Sequence, residues 1–226
     1  MAFQPKSYHK FLAATASAAL VASAVAPAVA SAEAADDFTD VTKDTRHYQE
    51  INALYEMGVF GGYPDGTFRP GQSLKRIEAA EMIFGALDIE AAGKFTATFK
   101  DVPSRIENEI QALYDAEIID GFSEIEFGSE ATLTRAQMAK IVIEAFELQP
   151  ADGDEYADAP FKDLKDTKLY PYINTVYGLD ISSGFPDGTF KPGEEIKRGD
   201  FAKMLYKARE IRKEPVAVTP KVISIE

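Results

Sequence analysis

The chain has no cysteine, only two histidines, and far fewer basic than acidic side chains: 24 against 37, a formal net charge of −13 over 226 residues. Without cysteine, a disulfide framework and thiolate metal sites are excluded. The shortage of positive charge argues against nucleic acid as a partner, because phosphate binding calls for a basic face. His9 and His47 support no Ser-His-Asp set, since neither recurs in a pattern with the other two residue types. A glycosidase needs two carboxyls facing one bond, yet the acids that recur here sit at turns and helix starts, as caps do. No enzyme and no cofactor is therefore expected. The densest acidic run, Asp152 to Asp158, fails as an EF-hand because Ala157 occupies the position that requires glycine, and it reads as a solvated linker.

Long apolar runs are also missing, except at the N-terminus. Lys6 and Lys10 precede small and apolar residues from Phe11 to Val29, which end in Ala-Ser-Ala at 30 to 32. That layout is a secretory signal peptide, residues 1–32, with cleavage after Ala32. The stretch is rich in alanine and serine rather than leucine, so no membrane insertion is expected. Cleavage removes two lysines and no acid, which deepens the acidic excess. An acidic surface outside a cell favours solubility and attracts cations. The 46% hydrophobic content argues against disorder.

The remainder is a threefold repeat. Phe-x-Asp followed by a branched residue occurs at Phe38, Phe99 and Phe161. These lead to Ile51, Ile110 and Ile173, then 11 positions on to Gly62, Gly121 and Gly184, and 14 further to Arg76, Arg135 and Arg198. Within each unit the apolar period is helical. A first stripe runs through Tyr48, Ile51, Tyr55 and Val59, through Ile110, Leu113 and Ile118, and through Ile173, Val176, Tyr177 and Ile181. A second follows through Ile77, Ala80, Ile83, Phe84 and Leu87, through Met138, Ile141, Val142 and Ala145, and through Phe201, Met204, Leu205 and Ala208. The expected fold is all-α, three helix-loop-helix repeats over 33–90, 91–150 and 151–212, with a C-terminal tether at 213–226. A unit this small cannot bury its stripe alone, so the three must pack together.

Between the helices, "GYPDGTFRPG" and "GFPDGTFKPG" predict type I turns at Pro-Asp-Gly, with a second turn at Pro-Gly. Lys75, Thr134 and Lys197 occupy the N-cap, with Gln137 completing a capping box on Thr134. Arg76, Arg135 and Arg198 then fall at the first helical position, where a cation opposes the helix dipole by a few tenths to about 1 kcal/mol. Two roles are open for a guanidinium placed there three times. With unpaired first-turn N–H groups it makes a receptor for a carboxylate, or it pairs internally with Asp40, Asp101 or Asp163.

These residues resemble the S-layer homology (SLH) domains, the wall-anchoring modules of bacterial surface proteins. The Phe-x-Asp openings, the two Pro-Asp-Gly-Thr loops and the segments "KRIEAAEM", "TRAQMAKI" and "KRGDFAKM" carry the likeness from about residue 38 to 211. The resemblance implies a pseudo-threefold trimer of repeats around a central three-helix bundle. It also implies grooves that bind pyruvylated secondary cell-wall polymer attached to peptidoglycan, commonly N-acetylmannosamine carrying a pyruvate ketal. By the same resemblance Arg76, Arg135 and Arg198 hold the carboxylate, and Gly62, Gly121 and Gly184 let backbone approach the sugar. Tyr63, Phe122 and Phe185 wall the groove, Lys75 and Lys197 assist with charge, and Asp40, Asp101 and Asp163 accept hydroxyls or cap a short helix. Repeat two departs from the pattern: "GFSEIEF" lacks Pro-Asp-Gly-Thr and adds Glu124 and Glu126, so its groove is expected to bind weakly. The implied place is secreted, at the cell wall or S-layer. Because Glu226 follows an apparent tether, the chain is expected to be the anchoring end of a longer S-layer protein or exported enzyme, with any self-assembly in the missing part. A helical scaffold for peptides is the alternative.

Overall fold

A computed structural model describes residues 38–87, 89–148, 158–164 and 168–212. The signal segment 1–32, most of the acidic linker and the tether 213–226 lie outside the described residues. The described residues fold as six α-helices with no strand: α1 Tyr48–Glu56, α2 Arg76–Ala86, α3 Glu107–Asp115, α4 Arg135–Ala145, α5 Tyr170–Gly178 and α6 Arg198–Ile211. A single 3-10 turn, Ser104–Ile106, leads into α3. None of these helices is long and apolar enough to cross a membrane.

The first helix of each repeat is shorter than its apolar stripe, and one device ends all three. After the caps Met57, Ala116 and Leu179, the residues Gly58, Glu117 and Asp180 turn left-handed, at φ 75°, 58° and 54°. Val59, Ile118 and Ile181 then donate back to the carbonyls of Leu54, Leu113 and Val176 at 2.9, 3.0 and 2.9 Å, the bond that closes a Schellman turn. The apolar residue beyond each turn still reaches the core, with Val59 and Ile181 buried. Hence the helical period outlasts the helix.

The second helices are buried on more faces than one stripe supplies. In α2 the side chains of Ala79, Met82 and Ala86 are buried alongside Ile77, Ala80 and Ile83. Phe84 and Ile141, expected in the core, are only half-buried. The packing order explains this: α2 packs against α3, α4 against α5, and α6 against α1, while α6 also meets α2 and α4. Each second helix thus lies between its fellows and the first helix of the following repeat, with the third repeat returning to the first.

Backbone hydrogen bonds follow the same closed order. Just ahead of the second helices, Leu74 donates to Ile196, Ile196 to Leu133, and Leu133 to Leu74, at 3.0, 2.9 and 3.3 Å. Three buried apolar residues therefore satisfy one another's main chains where no sheet exists to do so.

Inside each repeat the Phe of Phe-x-Asp fastens the loop. Phe38, Phe99 and Phe161 meet Tyr55, Tyr114 and Tyr177 edge-on at 4.7, 5.5 and 5.3 Å between ring centroids. Their other neighbours are Phe68, Phe127 and Phe190 at 5.4, 5.8 and 5.5 Å. The same phenylalanines fill the space that glycine leaves: a Cβ at Gly62, Gly121 or Gly184 would stand 2.5, 2.4 or 2.2 Å from the ring. The protein's own aromatic packing thus requires glycine at these three positions. Gly184 is also left-handed, at φ 70°. Gly184→Ala is expected to cost about 3 kcal/mol, because overpacking adds to an unfavourable backbone region. Gly62→Ala, with only the clash, should cost less, and urea unfolding midpoints will rank the two.

Candidate functional site

The loop between helices is a hydrogen-bonded turn of the expected kind. Gly66 donates to the Tyr63 carbonyl at 2.9 Å and Gly188 to that of Phe185 at 3.0 Å, each closing a Pro-Asp-Gly turn. The Thr67 hydroxyl, followed by Arg69, holds the Asp65 carboxyl down to about 2, so the turn stays charged. The Phe-x-Asp carboxylates cap these loops rather than a helix. Asp40 accepts from the backbone N–H groups of Phe68 and Arg69, both at 2.7 Å. Asp163 does the same for Phe190 and Lys191 at 2.9 and 2.8 Å. Asp101 accepts from Phe127, Gly128 and Ser129 at 2.7, 2.8 and 2.8 Å. None of the three reaches an arginine as an ion pair among the described residues.

Lys75, Thr134 and Lys197 are the N-caps and the three arginines the first helical residues. The first-turn N–H groups do not stand open to an anion. Arg76, Arg135 and Arg198 donate through backbone N–H to Ala131, Glu194 and Gln72 of a neighbouring repeat, at 2.8, 2.9 and 3.0 Å. Ile77, Ala136 and Gly199 likewise donate to Ser129, Pro192 and Pro70. Neighbouring loops supply the carbonyls that an external anion would otherwise replace.

The arginine side chains cross the same boundaries. Nε of Arg76, Arg135 and Arg198 donates to the carbonyls of Phe127, Phe190 and Phe68, at 3.0, 2.8 and 2.9 Å. Each guanidinium also lies between two rings of the receiving loop: Arg76 by Phe122 and Phe127, Arg135 by Phe185 and Phe190, Arg198 by Tyr63 and Phe68, all at 4.6 to 5.1 Å. An arginine caught this way gains about 0.5–2 kcal/mol per ring, which offsets the unfavourable dipole.

The three differ in burial. Arg198 is 0% and Arg135 5% exposed, while Arg76 is half-buried. Burial pushes all three guanidinium groups below their usual value, opposed by Asp120 and Asp101 at Arg76, chiefly by Asp200 at Arg135, and by Tyr63 and Glu78 at Arg198.

Around these arginines lie residues that their sequence positions alone do not connect. Asp200 Oδ2 stands 3.5 Å from Arg135, and Oδ1 stands 3.0 Å from His47 Nε2 and 3.6 Å from Arg46. Glu78, buried, accepts from the Tyr63 hydroxyl at 2.5 Å and from the Lys75 backbone at 3.1 Å. Gln137 instead completes the capping box with Thr134. The third helical residue is thus acidic in two repeats, Glu78 and Asp200, and neutral in one, Gln137, a difference visible in the sequence.

Beside Arg76 a cavity of about 360 Å³ opens, lined by Asp120, Gly121 and Phe122 of the repeat-two loop, by Gln137, Lys140, Ile141 and Glu144 of α4, and by Leu169 ahead of α5. Glu124 and Glu126, expected to weaken this groove, are exposed and do not line it. Lys75 and Lys197 lie elsewhere, paired with Glu130 and Ser73 where the second helices begin.

Comparison with known proteins places these features among relatives. The family model for the S-layer homology domain matches three times, at residues 37–80, 98–139 and 160–202. The surface-layer 125 kDa protein of Lysinibacillus sphaericus is 36% identical over 100% of this chain and 19% of its own length. An endoglucanase of Bacillus sp. (strain KSM-635) is 32% identical over 74% of this chain and 18% of its own. The cellulosome-anchoring protein of Acetivibrio thermocellus is 29% identical over 66% and 35%. The chain spans about a fifth of the length of the first two.

Removing the arginines should rank by burial. Arg198→Ala is expected to cost about 3–5 kcal/mol, Arg135→Ala somewhat less and Arg76→Ala about 1–2 kcal/mol, since burial sets the value of a charged hydrogen bond. Chemical unfolding of the single variants measures this. Asp200 adds a pH effect: burial raises its carboxyl, but His47, Arg46 and Arg135 together hold it below the usual value. Its contribution is complete above the unfolded value near pH ~4 and lost as pH falls through the lower folded value. Asp200→Asn should therefore flatten the decline of stability in acid, read from melting temperatures across that range.

Proposed function

This chain belongs to the S-layer homology domain family, and we propose that it anchors an exported protein to the bacterial cell wall by binding an acidic, pyruvylated wall polysaccharide between its repeats. The pseudo-threefold arrangement around a central bundle of α2, α4 and α6 is part of the proposal, and the closed order of helix packing and hydrogen bonds supports it. The observation that carries the function is the cavity beside Arg76. It combines a half-buried guanidinium, the Lys140 ammonium, an aromatic ring that is 58% exposed at Phe122, and the amide of Gln137.

Each part suits one feature of such a ligand. A cation attracts a carboxylate, with arginine also offering paired donors. A bare aromatic face covers the apolar side of a sugar ring. Gln137, Asp120 and Glu144 offer acceptors for hydroxyl groups. Catalysis is not assigned to this segment: the endoglucanase relative shares it over only 18% of its own length. That kinship favours the same module serving exported enzymes as well as surface-layer proteins.

Sedimentation of residues 33–226 with purified wall sacculi tests the proposal. The protein should pellet with intact sacculi, and stay in solution with sacculi stripped of polymer or freed of pyruvyl groups. Pelleting with stripped sacculi would overturn polymer binding and favour a protein or peptidoglycan partner. Pelleting with pyruvyl-free sacculi would overturn the acidic group.

A further inference from the structure

We infer that the groove beside Arg76 is the working one, because the arginines of the other two are buried, Arg135 against a carboxylate of the chain itself. The inference rests on the anchoring proposal and names which boundary between repeats does the binding.

At the boundary closed by Arg135, Asp200 takes the place of an incoming anion. It lies 3.5 Å from that guanidinium, and His47 and Arg46 fix its other oxygen from the start of α1. At the boundary closed by Arg198, Glu78 and Tyr63 are joined at 2.5 Å, and Gln72 donates to the same hydroxyl at 2.9 Å. Arg198 has no exposed surface there. Gln137 is the counterpart of both acids in α4, and it brings no charge. Arg76 donates to the carbonyls of Phe127 and Asp120 and makes no ion pair with a carboxylate among the described residues.

The loop aromatics vary in the same sense. Arg69 lies 3.9 Å over Tyr63 and Lys191 lies 4.6 Å over Phe185, so two of the rings are already covered by cations. In repeat two that position is Gly128, against which Phe122 rests, and the ring is left 58% exposed. This boundary therefore combines a cavity, an exposed ring and a half-buried guanidinium that no carboxylate pairs as an ion among the described residues. A sugar bearing one carboxylate supplies there what Asp200 supplies to Arg135.

Titration calorimetry of residues 33–226 tests this, with a pyruvylated N-acetylmannosamine glycoside as probe and its methyl ester as the uncharged control. One site per chain is expected for the acid and none for the ester. Gln137→Glu gives the open groove the acid that the others contain. Glutamate at this position still completes the capping box, so the melting temperature should hold while affinity falls about tenfold or more. Lys140→Glu, on a side chain 45% exposed, should lower affinity comparably. Two or three equal sites, or affinity unmoved by both variants, would overturn the single working groove and leave anchoring intact. No heat with either compound on the unaltered chain would overturn both.

Discussion

Everything in this molecule depends on a guanidinium of one repeat held between two rings of the next while its Nε donates to that loop's carbonyl. The bond is made three times, from Arg76 to Phe127, Arg135 to Phe190 and Arg198 to Phe68. A cation at a helix start is unfavourable on dipole grounds, and lifting it out of water adds to the cost. Two aromatic faces and a charged hydrogen bond reverse the balance only because the receiving loop is itself rigid. That rigidity comes from the Phe-x-Asp pair, whose ring packs under the loop glycine and whose carboxylate gathers the loop's N–H groups. Two short motifs far apart in sequence thus serve one contact.

A fold closed this way has little use for extended sheet or long helices. The Leu74, Leu133 and Ile196 main chains satisfy one another, and the second helices reach burial on most sides. Chemical identity among repeats is then free to vary at the rim of each boundary. There the third helical residue changes from Glu78 to Gln137 to Asp200, and the residue after the loop phenylalanine from Arg69 to Gly128 to Lys191. Both replacements at the middle boundary remove a charge. The same framework can consequently be sealed at one boundary and open at another without altering the bonds that hold it together.

The repeats, the helical period, the turns and the three N-caps were legible in the sequence because each arises from residues close together in the chain. Lys75, Thr134 and Lys197 stand where the spacing predicts, and Thr134 with Gln137 closes the expected box. The glycines and the Phe-x-Asp acids were legible as special positions, but their partners were not. Gly62 answers to Phe38 across 24 positions, and Asp40 to Phe68 across 28. Glu124 and Glu126 were legible as added charge in the repeat-two loop, but only the fold shows that they are exposed and do not line the cavity beside Arg76.

By itself the sequence determined a helical, thrice-repeated chain with an arginine at the head of each second helix, since propensity, capping and turn chemistry act over a few residues. Only the tertiary structure decided what those arginines touch. Packing brought neighbouring carbonyls onto the helix starts, placed Asp200 by Arg135 and Glu78 by Tyr63, and left Arg76 beside a cavity. Such outcomes depend on distances between segments far apart in the chain, 130 positions for Phe68 and Arg198 and 153 for His47 and Asp200, and no local preference encodes them.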